Sequence, residues 1–212
     1  MESKKERIAS YYKNEVFSTI KENKNLILFS IVLFLLSSIS GFYIFKVFFS
    51  SNPEVFDSII QGFADMLGPL KERTSFELFL TIFYVNSRTS FLIMILGIFI
   101  GLFPFLSLWL NGTILGLLYG KFMVEGESPI VFLIGILPHG IIEVPAIAIA
   151  ASQGFRIGKE VIFPPQGKSR SESLRINLKK GIKLFAIILP LLLIAAFIEV
   201  YVSAQLFNVS RI

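Results

Sequence analysis

Residues 137–146 read Leu137-Pro138-His139-Gly140-Ile141-Ile142-Glu143-Val144-Pro145-Ala146, and they lie inside a run, 128–153, that is otherwise as apolar as lipid. The stretch holds the only histidine of the chain and a carboxylate four residues later. On an α-helix, positions i and i+4 share a face, so His139 and Glu143 point into the same space. A charged residue at membrane depth costs roughly 2.5–3.5 kcal/mol on insertion scales, so such groups face a bundle interior and often serve function. The run reads as a membrane span interrupted near Pro138 and Pro145, with Gly140 either relaxing the helix between them or admitting a close neighbour.

The rest of the composition agrees with a membrane reading. Of 212 residues, 54% are hydrophobic and 17% charged, and the mean hydropathy is +0.72. A soluble domain carries more charge and less apolar surface. Cysteine is absent, which removes disulfides, thiolate nucleophiles and thiolate metal sites. The net charge of +5 is concentrated in two blocks beside spans, which speaks for topology and against nucleic acid, because no basic soluble domain exists to hold a strand.

Working outward, residues 154–183 form a basic connector with Pro164-Pro165 in its middle, and 184–212 hold the last span, with Pro190 and Glu199, and the C-terminus. On the other side, 88–124 is apolar for about 37 residues, or roughly 55 Å as a helix, too long for one crossing. Pro104 and Asn111-Gly112 are the natural breaks, giving two short spans, 88–106 and 109–124. The family of glycines at spacing four (Gly97 and Gly101; Gly112, Gly116 and Gly120) allows close helix approach in lipid, and a homodimer is one use of such ridges. Trp109 beside the break reads as an interface anchor.

Residues 50–87 are expected to form two outer amphipathic helices. Asn52-Pro53 starts the first, with Phe56, Ile59, Ile60, Phe63, Met66, Leu67 and Leu70 as its stripe and Gly68-Pro69 as its stop. Thr74-Ser75-Phe76-Glu77 is a capping box that starts the second. Residues 25–49 make the first span, and 1–24 a cytoplasmic amphipathic helix whose stripe is Ile8, Tyr12, Val16 and Ile20, with a cleavable signal peptide not expected. The sum is an all-α polytopic membrane bundle of about five spans: 88–153 is its core of three short or broken helices, and amphipathic helices lie at its surfaces. Keeping both basic blocks cytoplasmic puts the N-terminus inside and the C-terminus outside a cell membrane.

The polar residues within the spans are few. His139, Glu143, Glu199 (with Ala195 and Ser203 on its face), Asn111 at a helix break, and Asn86 with Arg88 at the head of the second span are candidates for one polar pocket. An imidazole and two carboxylates, His139, Glu143 and Glu199, suit a divalent metal such as zinc with one position open. No HExxH is present, so zincin chemistry has no motif, and no serine sits in an elbow sequence. The same groups suit proton or ion coupling. They also suit a purely structural network that satisfies carbonyls freed by Pro138, Pro145 and Pro190.

Several segments together resemble the stage II sporulation protein M family of integral membrane proteins. They are Tyr84-Val85-Asn86-Ser87-Arg88, Leu96-Gly97-Ile98-Phe99-Ile100-Gly101, Leu110-Asn111-Gly112-Thr113-Ile114-Leu115-Gly116, the 137–146 stretch, Gly154-Phe155-Arg156-Ile157-Gly158 and Ala195-Ala196-Phe197-Ile198-Glu199. The resemblance covers roughly 76–207, and its most specific part is Pro-His-Gly-x-x-Glu-x-Pro-Ala. Ser87 stands where many relatives carry a second asparagine, and residues 1–75 offer no motif to match. The resemblance implies a five-span protein with a polar core; the bacterial namesake works as a membrane scaffold for two partners that remodel septal peptidoglycan, and a non-enzymatic scaffold of envelope proteins is the expected function here. Two other functions remain expectations from the residues: a transporter or channel-like protein binding an ion or small substrate at the His/Glu site, and a metal-dependent intramembrane hydrolase.

Overall fold

The structure, a computed structural model, describes residues 4–67 and 73–209, and every regular element among them is a helix. Five are long and apolar enough to cross a membrane: Lys24–Phe49, Ser75–Ile98, Leu102–Val124, Pro129–Ile162 and Arg170–Leu206. The expected all-α bundle of five spans is the architecture, and the chain is a multi-pass membrane protein. The helices are α1 (Lys4–Tyr11), α2 (Ser18–Glu22), α3 (Lys24–Ile44), α4 (Pro53–Leu67), α5 (Ser75–Ile95), α6 (Leu102–Val124), α7 (Pro129–Ile162), α8 (Arg170–Ile198) and α9 (Ala204–Val209). Three π-helical stretches, Tyr12–Phe17, Phe45–Phe49 and Glu199–Ser203, join or extend them.

The span boundaries differ from those expected between 76 and 124. Thr74 and Glu77 do form the capping box: the Thr74 N–H donates to Glu77 Oε2 at 2.8 Å and the Glu77 N–H to Thr74 Oγ1 at 3.3 Å. What they start is a whole membrane helix, α5, and not a surface helix ending at 87. No glycine or proline interrupts the chain between Ser75 and Leu96, so nothing stops it, and Asn86-Ser87-Arg88 is carried inside the span.

The break falls at Leu96–Gly101, not at Pro104 or Asn111-Gly112. There a 3-10 turn (Leu96–Ile98) is followed by two left-handed residues, Ile100 (φ 59°) and Gly101 (φ 73°). Pro104 lies in the first turn of α6, where no backbone donor is needed. Asn111-Gly112 lies in the unbroken middle of α6. Likewise α7 passes through Pro138 and Pro145 without interruption, and the connector shrinks to 163–169 because α7 ends at Ile162 and α8 begins at Arg170. The expected helix stop at Gly68-Pro69, with Leu70, lies outside the described residues, as do the side chains of Phe63, Met66 and Leu67.

The chain divides into two compact units. The first comprises Met1–Val32, Asn86–Leu108 and Glu143–Leu192; the second comprises Leu33–Val85, Trp109–Ile142 and Leu193–Ile212. Each of α3, α5, α6, α7 and α8 contributes one part to each unit.

In the first unit, α7 presents Ala146, Ala148, Ala150 and Ala151, all fully buried, as a close-packing face after Pro145. Backbones meet directly here. A Cβ on Gly97 would strike the backbone of Gly154, and one on Gly158 would strike that of Gly97 and Gly101. A polar chain is sealed beside this packing. Asn23 Nδ2 donates to Gln153 Oε1 (2.7 Å), Gln153 Nε2 to the Asn177 carbonyl (2.8 Å), and Asn177 Nδ2 to Glu160 Oε2 (2.7 Å). Arg156 donates to Asn23 Oδ1 and to the Glu22 carbonyl, tying α2 to α7.

The amphipathic N-terminal segment packs part of its stripe inside the protein, with Ile8 left exposed. Val16 is fully buried, and the Tyr12 hydroxyl donates to the carbonyl of Ala186 at 3.2 Å. That carbonyl is the one Pro190, four residues later, leaves without its helical donor. Tyr12→Phe is therefore expected to lower stability by about 1 kcal/mol, the net worth of one hydrogen bond. Thermal unfolding in detergent checks it, and an unchanged midpoint would show that the carbonyl finds another donor.

In the second unit, Phe45, Phe56, Phe122 and Phe132 are buried. Phe56 of α4 inserts against Phe45 and Phe49, with ring centroids 5.2 and 5.6 Å apart. Asp57 beside it pairs with Lys121 of α6. The glycines of α6 face α3, where Cβ atoms on Gly112 and Gly116 would collide with the Phe34 and Ser38 carbonyls. These glycines allow close backbone approach within the chain.

Candidate functional site

The second unit forms an open cavity of about 450 Å³ between α6, α7 and the end of α8. Its polar lining is His139 from α7, Glu199 and Ser203 from the π-helical stretch, and Lys121 and Glu125 at the end of α6. Apolar walls come from Leu118, Phe122, Phe132 and Ile136. Concave, mostly apolar volumes with a few convergent polar groups are the usual form of a ligand site.

Two features position the polar groups. His139 Nδ1 and Ser203 Oγ share a hydrogen bond at 3.1 Å. Over Glu199–Ser203 the helix widens from α to π, with the Ala204 N–H bonded to the Glu199 carbonyl. Single-turn π segments are frequent at functional sites because they re-aim side chains out of α-helical register. The outcome here is that His139 and Glu199, from different helices, present metal-capable atoms within 4.8 Å of each other.

The other candidates divide. Glu143 stands one turn beyond His139 on the same continuous helix, and its Oε1 accepts from Asn86 Nδ2 at 2.9 Å. Asn86 and Glu143 are therefore brought together in the first unit, as His139 and Glu199 are in the second. Asn111 is exposed on α6 and does not line the cavity, and the helix break expected beside it does not exist. Gly140 admits no close backbone: a Cβ there would meet only the Ile136 side chain, at 3.8 Å. Pro138 and Pro145 lie within α7, and Gly112 packs on α3.

Sequence reasoning missed Lys121 and Glu125. They were legible as an i, i+4 ion pair, 3.4 Å apart, at the end of a span. It also missed the sealed Asn23–Gln153–Asn177–Glu160 chain, whose only sequence signal is polar residues next to an alanine-rich face.

The fold and this intramembrane polar site define a polytopic helical protein with a His/Glu cavity. Comparison with known proteins then places it: the family described as Stage II sporulation protein M matches residues 30–204, and the chain belongs to that family. The match begins well before residue 76, so most of the N-terminal third, without a recognisable motif, is part of the family fold. The chain is 35% identical over 121 residues (57% of this chain, 68% of the relative) to uncharacterized protein MJ0793 of Methanocaldococcus jannaschii. It is 28% identical over 187 residues (87% of this chain, 84% of the relative) to uncharacterized protein MJ0706 of the same organism. No solved structure matches the chain significantly.

Proposed function

We propose that this protein is a non-enzymatic scaffold of the cell membrane that positions envelope-remodelling proteins, with its N-terminus cytoplasmic and its C-terminus outside. Family membership supports the reading, and one observation carries it: α4 is an amphipathic helix only partly used. Phe56 and Asp57 fasten it to the second unit, while Val55 and Ile59 stay exposed, 52% and 44%, beside the polar Glu54 and Ser58. An anchored helix with an apolar face left over suits a protein partner. The placement of basic residues supports the orientation, since Arg156, Lys159, Arg170 and Arg175 flank the 163–169 loop and Lys168 lies in it.

The test is site-specific photo-crosslinking from Val55 and Ile59 in the native host, read against the localisation of envelope-remodelling enzymes. Crosslinks to such an enzyme, lost in Val55→Asp together with its localisation, are the expected result. Unchanged localisation of those enzymes in a deletion strain would reject the scaffold.

A second reading, an ion or small-substrate carrier, is favoured by the cavity itself, which combines His139, Glu199, Lys121 and Glu125 in one volume. Flux into liposomes decides it: wild type and Glu199→Gln giving the same flat trace would remove it.

A further inference from the structure

We propose that the cavity of the second unit holds a zinc-class divalent cation, ligated by His139 and Glu199 and completed by water. The proposal is separate from the scaffold reading and uses the same cavity as the carrier reading, from which metal retention without flux distinguishes it.

The donor set decides the class of ion. Imidazole nitrogen with carboxylate oxygen suits zinc and its borderline neighbours, whereas magnesium and calcium take all-oxygen shells. The His139 and Glu199 donor atoms, within 4.8 Å of each other, need only small side-chain movement to reach a common ion at roughly 2.0–2.2 Å. The hydrogen bond to Ser203 supplies the second condition. With Nδ1–H donating to Ser203 Oγ, the Nε2 lone pair is the one left for a metal, and a ligating histidine nearly always gives its other N–H to such a partner. The third condition is the backbone. Ser203 and Glu199 lie on one π turn, so the residue that orients the imidazole and the residue that ligates beside it are set by the same helical irregularity. Finally the site has room: a cavity of about 450 Å³ leaves space for water or an anionic ligand in the remaining coordination positions. Bound there, the ion fastens α7 to the end of α8.

The experiment uses the full chain purified in detergent, loaded with Zn2+ and dialysed without chelator, then measured by elemental analysis. A Co2+-loaded sample is read by its visible absorption. Wild type is expected to keep about one Zn2+ per chain and to show the intense bands of low-coordinate Co2+. Glu199→Gln, which keeps the shape of the side chain, and His139→Ala are expected to lose the bound metal. Ser203→Ala is expected to weaken binding by about 10–100-fold with the ligands intact. Circular dichroism and gel filtration verify folding of each variant; if His139→Ala fails to fold, Glu199→Gln and Ser203→Ala carry the test. Wild type that retains no zinc, or a folded Glu199→Gln that retains it as tightly as wild type, would overturn the proposal.

Discussion

Gly116→Ala is expected to be among the most damaging single-methyl changes in this chain. A Cβ at 116 would run into the Ser38 carbonyl and the Phe42 amide nitrogen, both backbone atoms of α3 that no rotamer change can move aside. The helices must separate, and in lipid their association rests on van der Waals packing, with no hydrophobic driving force to compensate. Overpacking of this kind costs about 1–3 kcal/mol, and more where backbone is the obstacle. Gly97→Ala, where the methyl would meet the Gly154 backbone, is expected to do the same to the first unit. Gly140→Ala is the control and should move the other way. Its methyl meets only ordinary contact, and replacing a mid-helix glycine by alanine gains roughly 0.5–1 kcal/mol. Unfolding in mixed micelles by rising fractions of sodium dodecyl sulfate gives all three; equal losses at 116 and 140 would mean that the two glycines are there for helix flexibility and not for contact.

Gln153→Leu is expected to have an effect of comparable or larger size. The side chain is fully buried and accepts from Asn23 while donating to the Asn177 carbonyl. Leucine fills similar volume but leaves the buried Asn23 amide donor without its partner, at a cost of about 1–3 kcal/mol, and removes the extra bond to the Asn177 carbonyl, which keeps its place in the α8 helix. Asn23 also holds Arg156, so the loss spreads to the join between α2 and α7. Breaking the exposed ion pair of Lys183 with Glu15, by contrast, is expected to cost less than about 1 kcal/mol. Detergent unfolding of Gln153→Leu and Lys183→Ala measures the contrast, and a leucine variant as stable as wild type would show that water enters to satisfy the chain.

The candidate site was partly legible for a simple reason. Ionisable residues are rare in spans, so His139, Glu143 and Glu199 stand out against their neighbours. Their grouping was read as a candidate pocket, but the change of helical register at Glu199–Ser203 was not legible, because no proline or glycine announces it. Asn111 was misplaced for the converse reason: Asn-Gly is a strong turn signal in water, but in α6 the glycine serves contact with α3 and the helix runs on.

Composition and hydropathy by themselves determined that this is an all-α membrane protein of five crossings, because a bilayer admits only helices or closed barrels and needs about twenty apolar residues for each helix. The capping box at Thr74 and the alanine face after Pro145 were also set locally, by side chains acting on their own helix. Tertiary structure alone decided where the helices turn and what the prolines and glycines are for. Helix breakers inside a membrane end a helix only when no neighbour compensates. Here a tyrosine from the N-terminal segment caps the carbonyl freed by Pro190, and partner backbones fill the space left by the glycines.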